Sequence, residues 1–173
     1  MSGRSGVIVR IRLPPELEEL RQRNDPVALT GVPAHVTVLF PFLATSDLTP
    51  AVRRRVAVVA RQVRPFDVRF ERTGRFPNVL WLGPEPVRPF IELTERLAAA
   101  FPDHPPYEGV HADIVPHLTI AFGEAAVLDR LERKAARAGI AFRRRVEAIE
   151  VIAEDASDRW HARWRLPLGR LRR

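Results

Sequence analysis

Cysteine is absent from the 173 residues, which excludes disulfides and thiolate-ligated metal sites. A reducing cytoplasm is the compartment such a chain is expected to occupy. Long apolar runs are also missing: no stretch approaches the roughly 18 residues of a membrane-spanning helix. The N-terminal VIVRIRL is broken by Arg10 and Arg12 and does not read as the apolar core of a signal peptide. Lysine occurs once, at Lys134, so the 28 basic residues are almost entirely arginine. Against them stand 21 acidic residues, and the net charge of +7 favours anionic partners, with guanidinium forks suited to phosphate. The arginine runs at Arg53–Arg55, Arg143–Arg145 and Arg170–Arg173 fit a nucleic-acid footprint, although such runs are more often solvated faces. What remains is a chain with 46% hydrophobic residues, enough for the core of one domain or of two small lobes that share it.

Within that chain one short pattern occurs twice. PAHVTVLFPF begins at Pro33 and PHLTIAF at Pro116, each carrying histidine, one intervening residue, then threonine. With 5 His and 7 Thr in the sequence, chance gives roughly 0.2 such spacings, and two are present. The flanks alternate as well. Val36, Val38 and Phe40 interleave with His35 and Thr37, and Leu118, Ile120 and Phe122 interleave with His117 and Thr119. A strand of period two turns each His and its Thr to one face and the apolar side chains to the other. One exposed His-x-Thr would be read as the wet side of an amphipathic strand; duplication favours a functional reading of the pair.

Around these segments the sequence alternates strands and helices. Val7 to Leu13 predicts a strand, and Pro15 to Arg23 a helix with proline in its first turn. Thr49-Pro50 opens a second helix striped by Val52, Val56, Val59 and Val63, and strands are expected near 66–72 and 79–82. A helix from about Pro89 to Phe101 and a loop from Pro102 to Val115 lead to the second motif. Beyond it lie a helix near 125–138 and strands near 141–153 and 160–168. The order motif strand, helix, strand, strand thus occurs after both His35 and His117. Trp81 follows His35 by 46 residues and Trp164 follows His117 by 47, so an internal repeat of about 35–82 and 117–168 is expected within a single domain covering 1–173.

Two similar lobes related by a pseudo-twofold axis would bring the motif strands to one cleft. Facing histidines suit in-line displacement at phosphorus: a neutral imidazole takes a proton from the nucleophile while a protonated one supplies the leaving oxygen. Two threonine hydroxyls would hold the non-bridging oxygens. The pair of His-x-Thr strands half a chain apart resembles the 2H phosphoesterase superfamily, which includes the 2′-5′ RNA ligase and cyclic phosphodiesterase proteins. The resemblance implies an α+β, bilobal fold, with antiparallel sheets lining a central cleft and helices outside. It implies metal-independent chemistry on RNA ends or cyclic nucleotides bearing a 2′,3′-cyclic phosphate; no cofactor is expected, and the chain is expected to act as a monomer. His35 and His117 match the acid/base histidines, and Thr37 and Thr119 the phosphate-binding hydroxyls. Relatives of the bacterial RNA ligase type often carry an arginine soon after the second motif, whereas this chain has Phe122-Gly123. Ligation through the same histidines, and a binding module without turnover, are the alternatives.

The other polar candidates receive structural readings. His111, Asp113 and His117 can be drawn as a metal site, but their spacing fits no standard ligand motif. His104 in a proline-rich loop and His161 beside Trp160 are assigned surface or packing roles. Tyr107 is a candidate base-stacking residue whose ordinary role would be to anchor its loop.

Overall fold

The computed structural model describes residues 3–106 and 114–169; Tyr107, His111 and Asp113 lie outside them. The chain begins with β1 (Ser5–Arg10), α1 (Pro15–Asn24) and the single turn α2 (Pro26–Leu29). It continues through β2 (His35–Leu39), α3 (Pro50–Gln62), β3 (Phe66–Phe76), β4 (Val79–Glu85) and α4 (Arg88–Ala100). The final elements are β5 (Leu118–Phe122), α5 (Ala125–Ala138), β6 (Phe142–Val146), β7 (Ala148–Glu154) and β8 (Trp160–Pro167). Local chemistry explains several boundaries. Thr49 caps α3 by accepting from the Val52 N–H, and proline occupies the first turns of α1, α3 and α4, where its missing N–H costs nothing. Gly139 ends α5 with φ near 80°, the left-handed conformation that glycine adopts most easily.

The strands form two four-stranded antiparallel sheets, ordered β2-β1-β7-β8 and β5-β4-β3-β6. This is the α+β, bilobal arrangement expected from the sequence. The two lobes exchange elements. β3 follows the first motif strand yet pairs with β4 in the second sheet, while β7 returns from the second half to pair with β1. Helices cross in the same way: α4 packs on β2 and α1 on β5. Consequently neither lobe is a continuous stretch, and the segments 35–82 and 117–168 each supply strands to both sheets. The matching tryptophan spacings do not mark matching positions. Trp81 lies in β4 beside the second motif strand, whereas Trp164 lies in the edge strand β8 and packs on the core.

One continuous apolar core joins the lobes. From the sheets it takes Val7, Val36, Val38, Leu80, Leu118 and Ile120, and from the helices Leu17, Val56, Leu93 and Leu128. Its removal from water stabilises the fold at roughly 25 cal/mol per Å² of apolar surface. Buried Thr94 on α4 donates from Oγ1 to the Val38 carbonyl at 2.8 Å, tying that helix to the first motif strand without leaving its hydroxyl unpaired.

Candidate active site

The alternation expected in the motif strands is present. Val36, Val38 and Leu39 are buried while His35 and Thr37 are half-buried; Leu118, Ile120 and Ala121 are buried while His117 and Thr119 are half-buried. His117 stands immediately before β5 rather than within it. β2 and β5 approach each other across the lobes, with Cα–Cα distances within 8 Å. That approach brings the two motifs into one region.

Both imidazoles are fixed in the same manner. His35 Nδ1 lies 2.7 Å from the Pro33 carbonyl oxygen, and His117 Nδ1 lies 2.7 Å from that of Val115. A carbonyl only accepts, so Nδ1–H donates and Nε2 carries the lone pair in the neutral ring. The electrostatics are unequal. Burial pushes the His35 pKa down to about 4, opposed by its bond to Pro33 and reinforced by the positive charges of Arg21 and protonated His117. Burial also lowers the pKa of His117, against the raising effect of Val115. The repulsion from His117 felt at His35 means that two charged imidazoles oppose one another here. Neither Thr37 nor Thr119 has a side-chain hydrogen-bond partner among the described residues, which leaves both hydroxyls available to a ligand.

Residues outside the motifs complete the site. Arg21, only 1% exposed, sits on α1, binds Asp25 Oδ2 through Nε at 2.9 Å and donates from Nη2 to the Val32 carbonyl at 3.0 Å. It thereby braces the 32–34 segment that carries the carbonyl partner of His35. The Arg-x-x-x-Asp spacing is visible in the sequence, but ordinary surface pairs on helices share it. Beside His117, Phe76 approaches edge-on at 5.0 Å between centroids and Trp81 at 6.1 Å. Trp81 lies against Gly74, where a Cβ would fall 2.1 Å from the indole. Beside His35 and Thr37 opens a pocket of about 260 Å³ whose walls include Ile8, Ile152, Phe40 and Trp160, with Arg4 at its edge. The Arg4 guanidinium stands 5.7 Å from the Trp160 ring centroid.

The remaining histidines are elsewhere. Exposed His161 pairs with Asp155 at 2.8 Å, and the His104 ring packs against Phe42 at 6.2 Å. No cluster of three or more His, Cys, Asp or Glu suited to a metal occurs among the described residues. No helix there is long and apolar enough to cross a membrane.

Comparison with known proteins bears on the fold and the family. A Bacillus licheniformis protein named as a candidate phosphoesterase is 28% identical over 106 residues, 58% of this chain and 59% of that protein. The aligned part thus spans somewhat over half of that relative's length. Among solved structures, E. coli LigT complexed with 3′-AMP superposes with a TM-score of 0.63 at 18% identity, covering 97% of this chain and 99% of LigT. A Thermus thermophilus protein gives 0.63 at 20% identity over 96% of this chain and 98% of its own. At such identities these structures establish the fold. Family membership rests on the sequence itself: the pattern describing the 2′-5′ RNA ligase superfamily runs from residue 10 to 158, through both His-x-Thr motifs and the exchanged strands β3 and β7, and the chain belongs to that superfamily.

Proposed function

We propose that this protein is a metal-independent phosphodiesterase that opens the 2′,3′-cyclic phosphate of nucleotides or RNA ends, with His35 as base and His117 as acid. The carrying observation is the matched pair of half-buried imidazoles, each with Nδ1 held by a backbone carbonyl two residues earlier and Nε2 left for proton transfer. His35 takes a proton from water as its oxygen attacks phosphorus. The bond from phosphorus to one ribose oxygen breaks, and His117 delivers a proton to that oxygen. The stronger lowering at His35 supports its assignment as the neutral partner. An anionic phosphate between the rings would favour protonation of His117, so substrate binding itself charges the acid. Thr37 and Thr119 donate to the non-bridging oxygens, and the pocket of Phe40 and Trp160 suits a nucleobase. That LigT has been seen with 3′-AMP and with NADP+ supports a nucleotide ligand for this relative of similar fold.

Replacing water by an RNA hydroxyl would turn the same chemistry toward a 2′-5′ linkage, the second reading that the family supports. The test is turnover of 2′,3′-cyclic nucleotides and of cyclic-phosphate-ended RNA by the pure protein. His35→Ala and His117→Ala should each cost about 10²- to 10⁴-fold in kcat, the double variant less than the product. Thr37→Ala and Thr119→Ala should cost less. Wild-type rates in both histidine variants would refute the mechanism, and binding without turnover by the wild type would make the protein a binding module.

A further inference from the structure

A second concave surface, distinct from the aromatic pocket, lies along the same strand β1. It is a groove of about 670 Å³ lined by Arg10, Arg12, Arg144, Arg145 and Arg165. The β1–β2 register connects it to the candidate site: Arg10 is the direct cross-strand partner of His35, as Ile8 is of Thr37. Directly opposed residues project from the same face, with Cα atoms about 5 Å apart. The register continues outward from Ile8 to Glu150 on β7 and from Glu150 to Arg165 on β8. One sheet face therefore carries the aromatic pocket, then His35 and Thr37, then the arginines.

The arginines are unevenly committed. Arg145 pairs with Asp67 at 3.1 Å, and Arg144 donates to the Arg12 and Arg143 carbonyls at 2.6 and 2.7 Å. Arg10, Arg12 and Arg165 are exposed and have no carboxylate partner among the described residues. Two glutamates also line the groove, leaving it at +3. Of these Glu150 is buried, with Oε2 lacking a hydrogen-bond partner, and Glu147 is exposed, so the net cationic charge of the lining comes from the excess of arginines. Three unpaired guanidinium groups in a trough, one of them a strand away from His35, match consecutive anionic groups linked to the group at the histidines.

We propose that this groove binds the backbone phosphates of a single-stranded RNA upstream of its 3′ end, so that the substrate class is an RNA terminus rather than a free mononucleotide. The inference rests on the proposed function for the identity of the end, while the groove itself is testable without turnover. In a terminal nucleotide the base and the 5′-phosphate leave the ribose in different directions. The aromatic pocket takes Gly6 and Ile8 of β1 and the arginine groove takes Arg10 and Arg12, so the two open at successive stretches of the chain beside His35 and Thr37.

The experiment measures binding of a 5′-fluorescein, 3′-phosphorylated RNA hexamer by anisotropy across a salt series. It uses wild type, Arg10→Gln/Arg12→Gln/Arg165→Gln, and the control Arg53→Gln/Arg54→Gln/Arg55→Gln, which removes the same charge from α3. Each phosphate contact on a single strand contributes about 0.7 to the slope of log K against log salt. The groove variant should therefore lose about 2 from that slope, whereas the α3 variant keeps it. Equal slopes in wild type and groove variant, or equal losses in the two variants, would overturn the groove. Hydrolysis of an RNA ending in a 2′,3′-cyclic phosphate by the wild type is read separately: its failure refutes the proposed reaction and leaves the binding result standing.

Discussion

The depressed pKa of His35 makes the candidate site a source of acid lability, and its size can be worked from the structure. Burial brings the folded-state pKa to about 4 from an ordinary value near 6.5. Above pH 6.5 the ring is neutral in both folded and unfolded chains, and stability is unaffected. Between 6.5 and 4 the unfolded chain holds a proton that the folded chain refuses, so stability falls as the pH is lowered through that window. At 1.36 kcal/mol per pKa unit the loss reaches roughly 3 kcal/mol by pH 4, below which both states are protonated and the difference stays constant. His35→Gln does not titrate and removes this contribution. Urea unfolding at pH 7.5, 6, 5 and 4 should show the wild type losing about that much more than the variant, mostly between pH 6 and 4. His117, lowered in the same direction, adds to the acid loss of both proteins and largely cancels in the comparison. NMR titration of the His35 imidazole supplies the direct check. A ring that titrates near 6.5, or identical pH dependence in the two proteins, would refute the argument that burial controls this histidine.

Gly74→Ala places a methyl group where the Trp81 indole now lies, 2.1 Å from its nearest atom. It should cost about 1–3 kcal/mol through overpacking, shift tryptophan fluorescence, and lower kcat through the Trp81 contact with His117. Arg21→Met leaves the Asp25 carboxylate, 1% exposed, without its guanidinium partner. Stability by urea unfolding should fall about 3–5 kcal/mol, and Arg21→Met/Asp25→Leu should recover part of it because no unpaired charge stays buried. Exhaustive treatment with EDTA should leave turnover of a 2′,3′-cyclic nucleotide unchanged under the two-histidine mechanism; loss on chelation with recovery on adding a divalent ion would point to metal chemistry instead.

The sequence by itself determined the secondary structure around the motifs and the side chains that compose them. Local signals are strong there: alternation over Val36–Leu39 and Leu118–Phe122, a threonine cap with proline at the start of α3, and an apolar stripe on that helix. These depend on contacts within a few residues, where period and capping chemistry suffice. The tertiary structure decided how the halves combine. The exchange of β3 and β7 between sheets arises from strand pairing across distant parts of the chain, and no local pattern encodes which edge a strand joins. For the same reason equal spacing misled for Trp81 and Trp164: position relative to a motif is a property of the sheet, and the spacing counted residues along the chain. The brace from Arg21, the aromatic contacts of His117 and the arginine groove also come from residues far apart in sequence, including Arg10, Arg12 and Arg165. Their charge and aromatic content are legible in the sequence. Which of them would be buried against His35, and which left unpaired beside it, was decided only when the two sheets closed on one core.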